Sequence, residues 1–179
     1  MTFFLLLFLI VACASGGAGE KSQEPARSVV RVSDYQTAEL FTEADRISVA
    51  IPHPPEDVWA ALPAVFDRLG IPVNQVARDQ MTLGNTGLEA RTIEGKRMGS
   101  YLDCGTTFSG ALANIYDVTL KVTSRVTPNP EGGALVVTTL DAWAEPRMTN
   151  GDAVHCRSKN KLEERIAEVT AEILEKGRP

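Results

Sequence analysis

Residues 116 to 146 read YDVTLKVTSRVTPNPEGGALVVTTLDAWAEP, and this stretch constrains the chain more than any other. In its first run Tyr116, Val118, Leu120 and Val122 fall on one side, and Asp117, Thr119, Lys121 and Thr123 on the other. Side chains of a strand alternate between faces, so this spacing predicts a half-buried β-strand and suits no helix. Residues 127 to 133, TPNPEGG, supply the Pro and Gly of a turn, and ALVVTTLDAWAEP supplies a second strand that stops at Pro146. Two such runs joined by a turn predict an antiparallel hairpin. Its apolar face must be covered by something else in the chain.

Two helical stripes answer that need. In IPHPPEDVWAALPAVFDRLGIP, Pro55 suits the first helical position, and Glu56 and Asp57 suit the first turn, where acids match the helix dipole. Val58, Trp59, Leu62, Val65, Phe66 and Leu69 then form one wide apolar stripe. Gly70 is placed to cap the helix, with Pro72 just beyond. Pro63 removes the hydrogen bond to the carbonyl of Trp59 and predicts a bend. Near the C-terminus Leu162, Ile166, Val169 and Ile173 are spaced by 4, 3 and 4. Asn160 and Glu163 stand where a capping box would have them, and Gly177 is placed to close the helix. Glu164, Glu168, Glu172 and Glu175 read as its solvated face.

The remaining elements are weaker. Ile47, Val49 and Ile51 alternate with Ser48 and Ala50, which predicts a strand before the first helix. VNQVARDQMTLGN reads as a strand ending at Gly84-Asn85. LEARTIEGKRMGSYLDCG holds another, interrupted near Gly95 or Gly99. In residues 29 to 41, Val29, Val30 and Val32 favour a short strand, and DYQTAELF a turn of helix. The order strand, helix, strands, helix predicts an α+β fold. An antiparallel sheet of about four to five strands would carry two helices packed on one face, a helix-grip-like arrangement. The 179 residues suit one domain with appendages, and 44% hydrophobic content is enough for a packed core. A net charge of −5 argues against general nucleic-acid binding, which needs a basic face.

Phe3 to Ala12 are ten uncharged, nearly all apolar residues. A membrane-spanning helix needs about 20, so this length matches the apolar region of a signal peptide instead. Ile10-Val11-Ala12-Cys13 resembles a bacterial lipobox. In lipoproteins that cysteine becomes the first mature residue and carries acyl chains of the palmitate class, and several chains hold a protein on a bilayer far better than one. The expected organisation is therefore a signal peptide over 1–12, a flexible tether over 13–28 beginning at the lipidated Cys13, and a single α+β domain over 29–179. The tether is small and polar, with Gly and Pro. Ala14 stands where an inner-membrane retention Asp would otherwise sit, and by resemblance to enterobacterial sorting this points to the outer membrane. Ala12-Cys13-Ala14 also fits the ordinary signal peptidase, which would release a soluble protein, and a buried helix is a third reading. Met1-Thr2 brings no Lys or Arg to support export.

With Cys13 lipidated, Cys104 and Cys156 remain. An even remainder in an oxidising compartment predicts one disulfide between them. Asp103, Cys104, His155 and Cys156 also compose a possible zinc set, and Cys156 with His155 a possible nucleophile and base. Neighbouring residues on a strand point opposite ways, which disfavours both. No G-x-S-x-G, H-E-x-x-H, P-loop or G-x-G-x-x-G occurs. GNTG and CGTTFSG are Gly-rich without a helix carrying a phosphate-binding Lys, and His53 reads as a solvated turn residue. No enzymatic activity, cofactor or metal is expected.

The lipobox, the tether and the strand–helix–strands–helix order resemble lipoproteins of the BamC type, which belong to the outer-membrane β-barrel assembly machinery and carry helix-grip domains. The stretches carrying the likeness are PPEDVWAALPAVFDRLGI and LEERIAEVTAEIL, within residues 44 to 176. This chain has room for one such domain where that family has two, and it adds the Cys104/Cys156 pair. The resemblance implies an outer-membrane lipoprotein facing the periplasm. It would be a non-catalytic scaffold or accessory in envelope assembly, with the membrane and other envelope proteins as partners. No family residue carries over as a site. The alternative is a module holding an apolar ligand between sheet and helix, with Trp59, Phe66, Tyr116 and Trp143 as candidate lining. Inward Tyr, Val, Leu and Val on the first hairpin strand fill space and favour a solid core.

Overall fold

The computed structural model describes residues 27–33, 36–41, 45–147 and 151–177. The expected leader, Cys13 and the tether up to residue 26 lie outside them. The described residues begin with a hairpin of β1 (Arg27–Ser33) and β2 (Gln36–Phe41), followed by β3 (Asp45–Ile51) and α1 (Pro55–Arg68). Next come β4 (Gln75–Ala77), β5 (Thr82–Glu89), the short pair β6 (Thr92–Ile93) and β7 (Lys96–Arg97), and β8 (Leu102–Asp103). A second short pair, β9 (Thr106–Thr107) and β10 (Gly110–Ala111), leads into α2 (Leu112–Ile115). The chain closes with β11 (Asp117–Pro128), β12 (Ala134–Glu145), β13 (Val154–Ser158) and α3 (Lys161–Lys176).

The fold is α+β, with a mostly antiparallel sheet. Among the described residues the main sheet has seven strands in the order β4-β5-β11-β12-β13-β8, with β3 also on β12. The expected hairpin is its centre: β11 and β12 pair in unbroken register from Asp117↔Glu145 to Pro128↔Ala134. The free edge of β12 is shared, β3 lying along Ala134–Leu140 and β13 along Ala142–Ala144. The count exceeds the expected four to five because β13 and β8 have five and two residues, too few for a periodic signal. Of DYQTAELF, the described part, Gln36–Phe41, is strand β2 and not helix, because it pairs with the valine-rich β1.

The weak strand candidate around residue 80 is two strands. A single 3₁₀ turn at Arg78–Gln80 folds β4 back against β5. Gly84-Asn85 does not end β5 but opens a bulge in it. Thr86 and Gly87 together face Lys121, the one β11 residue between the pairs Val122↔Asn85 and Leu120↔Leu88. Buried Asn85 serves this bulge: its Oδ1 accepts the Gly87 amide at 2.8 Å and its Nδ2 donates to the Pro72 carbonyl at 2.6 Å. Gly84 lies against β11 so closely that a Cβ there would sit 2.2 Å from the Val122 carbonyl oxygen.

Helix α1 starts at Pro55 and runs through Pro63, which is exposed. It ends on Leu69 followed by Gly70 at φ +70. The Ile71 amide reaches back to the Phe66 carbonyl at 2.9 Å and Gly70 to that of Asp67 at 2.9 Å, the Schellman pattern that glycine permits. Helix α3 departs from the expected start. Asn160 adopts φ +64 and makes no side-chain cap, its own amide being held by Ser158 Oγ at 2.9 Å. The sharp turn out of β13 needs a left-handed residue, which Asn tolerates. Glu163, the other half of the expected capping box, is buried.

Val58, Leu62, Val65 and Phe66 of α1 and Leu162, Ile166 and Val169 of α3 join one apolar cluster with Val118, Leu120, Val122, Val136 and Leu140 of the central hairpin. The two helices touch each other, and both touch β12. Within the cluster Ser124 and Thr138 meet across the hairpin at 2.9 Å, so their hydroxyls satisfy each other.

The acidic face of α3 is not simply solvated. Arg165 contacts Glu168 at 3.2 Å, Glu172 at 3.0 Å and Glu94, in the β6–β7 turn, at 3.0 Å, and Arg68 of α1 contacts Glu172 at 2.6 Å. Four charged groups thus bridge α1, α3 and a loop around Arg165. The Arg165 hydrogen bond, helped by Arg68, holds the Glu172 carboxyl below its ordinary value of 4.5 against partial burial. A lowered carboxyl stabilises the fold above its unfolded value and ceases to as pH falls through the folded one. The stability gap between wild type and E172Q should therefore be widest near neutrality and close below about pH 4.5, as read from urea midpoints across pH. A gap independent of pH would contradict the linkage.

Candidate interaction site

Strand β13 carries the residues that the chemistry singles out. Alternation sends Cys156 to the core side and His155 to the opposite face. Cys156 faces Cys104, which follows β8. Their sulfurs stand at disulfide distance, 2.02 Å, with Cα atoms 4.1 Å apart, so the expected pair is brought together. Beside it β8 pairs with β13 through Asp103↔Arg157 and Leu102↔Ser158.

On the other face His155 lies opposite Trp143 of β12, their rings 5.4 Å apart and tilted. His155 Nε2 meets Asp141 Oδ1 at 2.5 Å. A carboxylate only accepts, so the Nε2 proton is directed at Asp141, and the imidazole is fixed in orientation. Nδ1 is sealed from solvent and hydrogen-bonds no described residue. A histidine held this way is a spacer for the indole and presents no nitrogen to a substrate. Trp143 itself is 38% exposed.

The possible zinc set does not converge. Asp103 Oδ1 accepts the Gly105 amide at 3.0 Å, the two sulfurs meet each other, and His155 is turned to Asp141. His53 lies in the turn before α1, partly exposed, its amide bonded to the Ile51 carbonyl. The four aromatics of the ligand-cup reading also separate: Phe66 is in the core, Trp59 and Tyr116 pack at its margin, and Trp143 is on the outer face. A recess of about 340 Å³ opens between β3 and α3, lined by Val49, Ala50, Ile51, Ala167, Ala171, Glu164 and Glu168, and none of the four reaches it.

Two features escaped the sequence reading. Trp143 shares the parity of Asp141 and Glu145, the polar side of β12, and that parity was the available signal for an outward aromatic. CGTTFSG, singled out only for its glycines, is the β9–β10 hairpin with Phe108 fully exposed at its tip. Nearby, Tyr101 is buried and donates to the Ile93 carbonyl at 3.0 Å. Burial first, and the Glu94 charge second, push its phenol up, so it stays a donor. No helix among the described residues is long and apolar enough to cross a membrane. Comparison with known proteins finds no matching family model and no matching curated protein.

Proposed function

We propose that the chain is a bacterial outer-membrane lipoprotein, acylated at Cys13. Its disulfide-stapled periplasmic domain serves as a non-catalytic scaffold or accessory in envelope assembly, as the likeness to BamC-type lipoproteins implies. In this reading the two long helices lie together on one face of the sheet, in helix-grip fashion, and leave the other face for a partner protein. The observation that supports it is Trp143: an indole standing out from the sheet, braced by a histidine that is itself tied to Asp141. Rigid, half-exposed aromatics of this kind are what protein interfaces use as anchors.

The test is affinity capture of the tagged full-length protein, extracted from membranes, with identification of the co-purifying chains. Barrel-assembly components should be recovered with wild type. The W143A variant should lose about 2 kcal/mol of affinity, a fall of more than tenfold in recovery. An unchanged melting midpoint would show that W143A still folds. Equal recovery with W143A, or recovery of lipid alone, would overturn the assignment. Intact mass of the membrane form checks the anchor independently through acyl chains on Cys13.

A further inference from the structure

We propose that the β9–β10 hairpin is a second membrane contact, with Phe108 inserted into the interface of the bilayer that holds Cys13. The proposal rests on the anchored reading above and goes beyond it, since the anchor requires no contact between domain and lipid.

Three observations carry it. Phe108 is fully exposed, whereas the other exposed large apolar side chains among the described residues, Val73, Val76 and Trp143, are far less so. A single exposed apolar residue is ordinary on a protein surface. Phe108, however, crowns a built projection. Thr107 and Gly110 pair across the turn, and the Ser109 amide donates to Thr107 Oγ1 at 3.2 Å. The Leu112 amide closes the base on the Gly105 carbonyl at 2.9 Å, and Cys104, one residue before that base, is at disulfide distance from Cys156. The ring is thus presented at little further cost in ordering.

The second observation is charge. Residues 105 to 116, GTTFSGALANIY, contain no Asp, Glu, Lys or Arg in a chain of which 23% is charged. Charged groups resist entry into lipid, whereas hydroxyls, glycines and an aromatic ring suit the boundary between headgroups and acyl chains. A convex, uncharged tip fits a soft interface better than a preformed pocket, whose rim would be polar and would ask for polar partners.

The third is reach. Thirteen residues separate Cys13 from Arg27, where β1 begins. They can span at most about 45 Å. The domain is therefore held within roughly its own diameter of the bilayer, and a projecting ring meets lipid at high local concentration.

The experiment places F108W in the full-length protein, reconstituted into vesicles of phosphatidylethanolamine and phosphatidylglycerol with or without bromine on the acyl chains. Subtracting the wild-type emission of Trp59 and Trp143 isolates the added indole. The expected result is blue-shifted added emission that is lost in brominated vesicles, with a melting midpoint equal to wild type. Added emission that stays red-shifted and unquenched would overturn the proposal. So would emission that is blue-shifted but unquenched, which would mean that protein, not lipid, covers the tip. Acylation is read separately by intact mass. If Cys13 is bare, the anchored reading fails on that count, and quenching by added vesicles decides the hairpin alone.

Discussion

Reduction of the bond between Cys104 and Cys156, or its removal in a C104S/C156S variant, is expected to lower the melting midpoint of the domain by about 10 °C. The two cysteines are 52 residues apart. Closing a loop of that size removes enough freedom from the unfolded chain to stabilise the fold by about 4 kcal/mol. For a domain of this length each kcal/mol moves the midpoint by about 2–4 °C. The position of the link favours the full effect. It joins the end of β8 to β13, two short strands that have few ladder bonds of their own and depend on being held to the edge of β12. The loss should therefore be local first, with amides of β13 and β8 exchanging faster than those of β11 before global unfolding. Coincident melting curves with and without reductant would remove the staple from the account.

Phe66→Ala should cost about 3–5 kcal/mol, through lost apolar transfer and through the cavity left behind. Phe66 has no exposed surface and lies on α1, in the same buried cluster as the valines and leucines of the central hairpin. Its carbonyl also receives the Ile71 amide that closes the helix, so the buried ring and the cap are set at one residue. Domain stabilities of about 5–15 kcal/mol leave little after such a loss. Chemical unfolding should show a lower midpoint with an unchanged slope. A cost below about 1 kcal/mol would mean that the site collapses around the smaller side chain and that α1 is not held by this contact.

Much of this architecture was legible in the residues. The β11–β12 hairpin announced itself because twelve-residue strands give alternation room to repeat. The stripes of α1 and α3 were equally plain, and so was the cysteine pair once export was assumed. What was misread shares a cause: elements whose form depends on a neighbour. β4, β8 and β13 are too short to carry a period. The bulge at Asn85 exists because β11 lies beside it. Asn160 is left-handed because β13 must turn sharply into α3, and a capping-box spacing cannot show that. The acidic stripe of α3 looked solvated because Arg68 and Glu94 reach it from elsewhere in the chain.

The same division holds for the surfaces. By itself the sequence determined the class of fold, the two helical stripes and the central hairpin, since each is written in local spacing. Only the tertiary structure decided that His155 braces Trp143 on the outer face, that Cys104 reaches Cys156, and that Phe108 stands clear at a hairpin tip. Those are relations between residues distant in the chain, or between one residue and the solvent. Spacing along a polypeptide fixes which way a side chain points from its own backbone, but packing decides what it meets there.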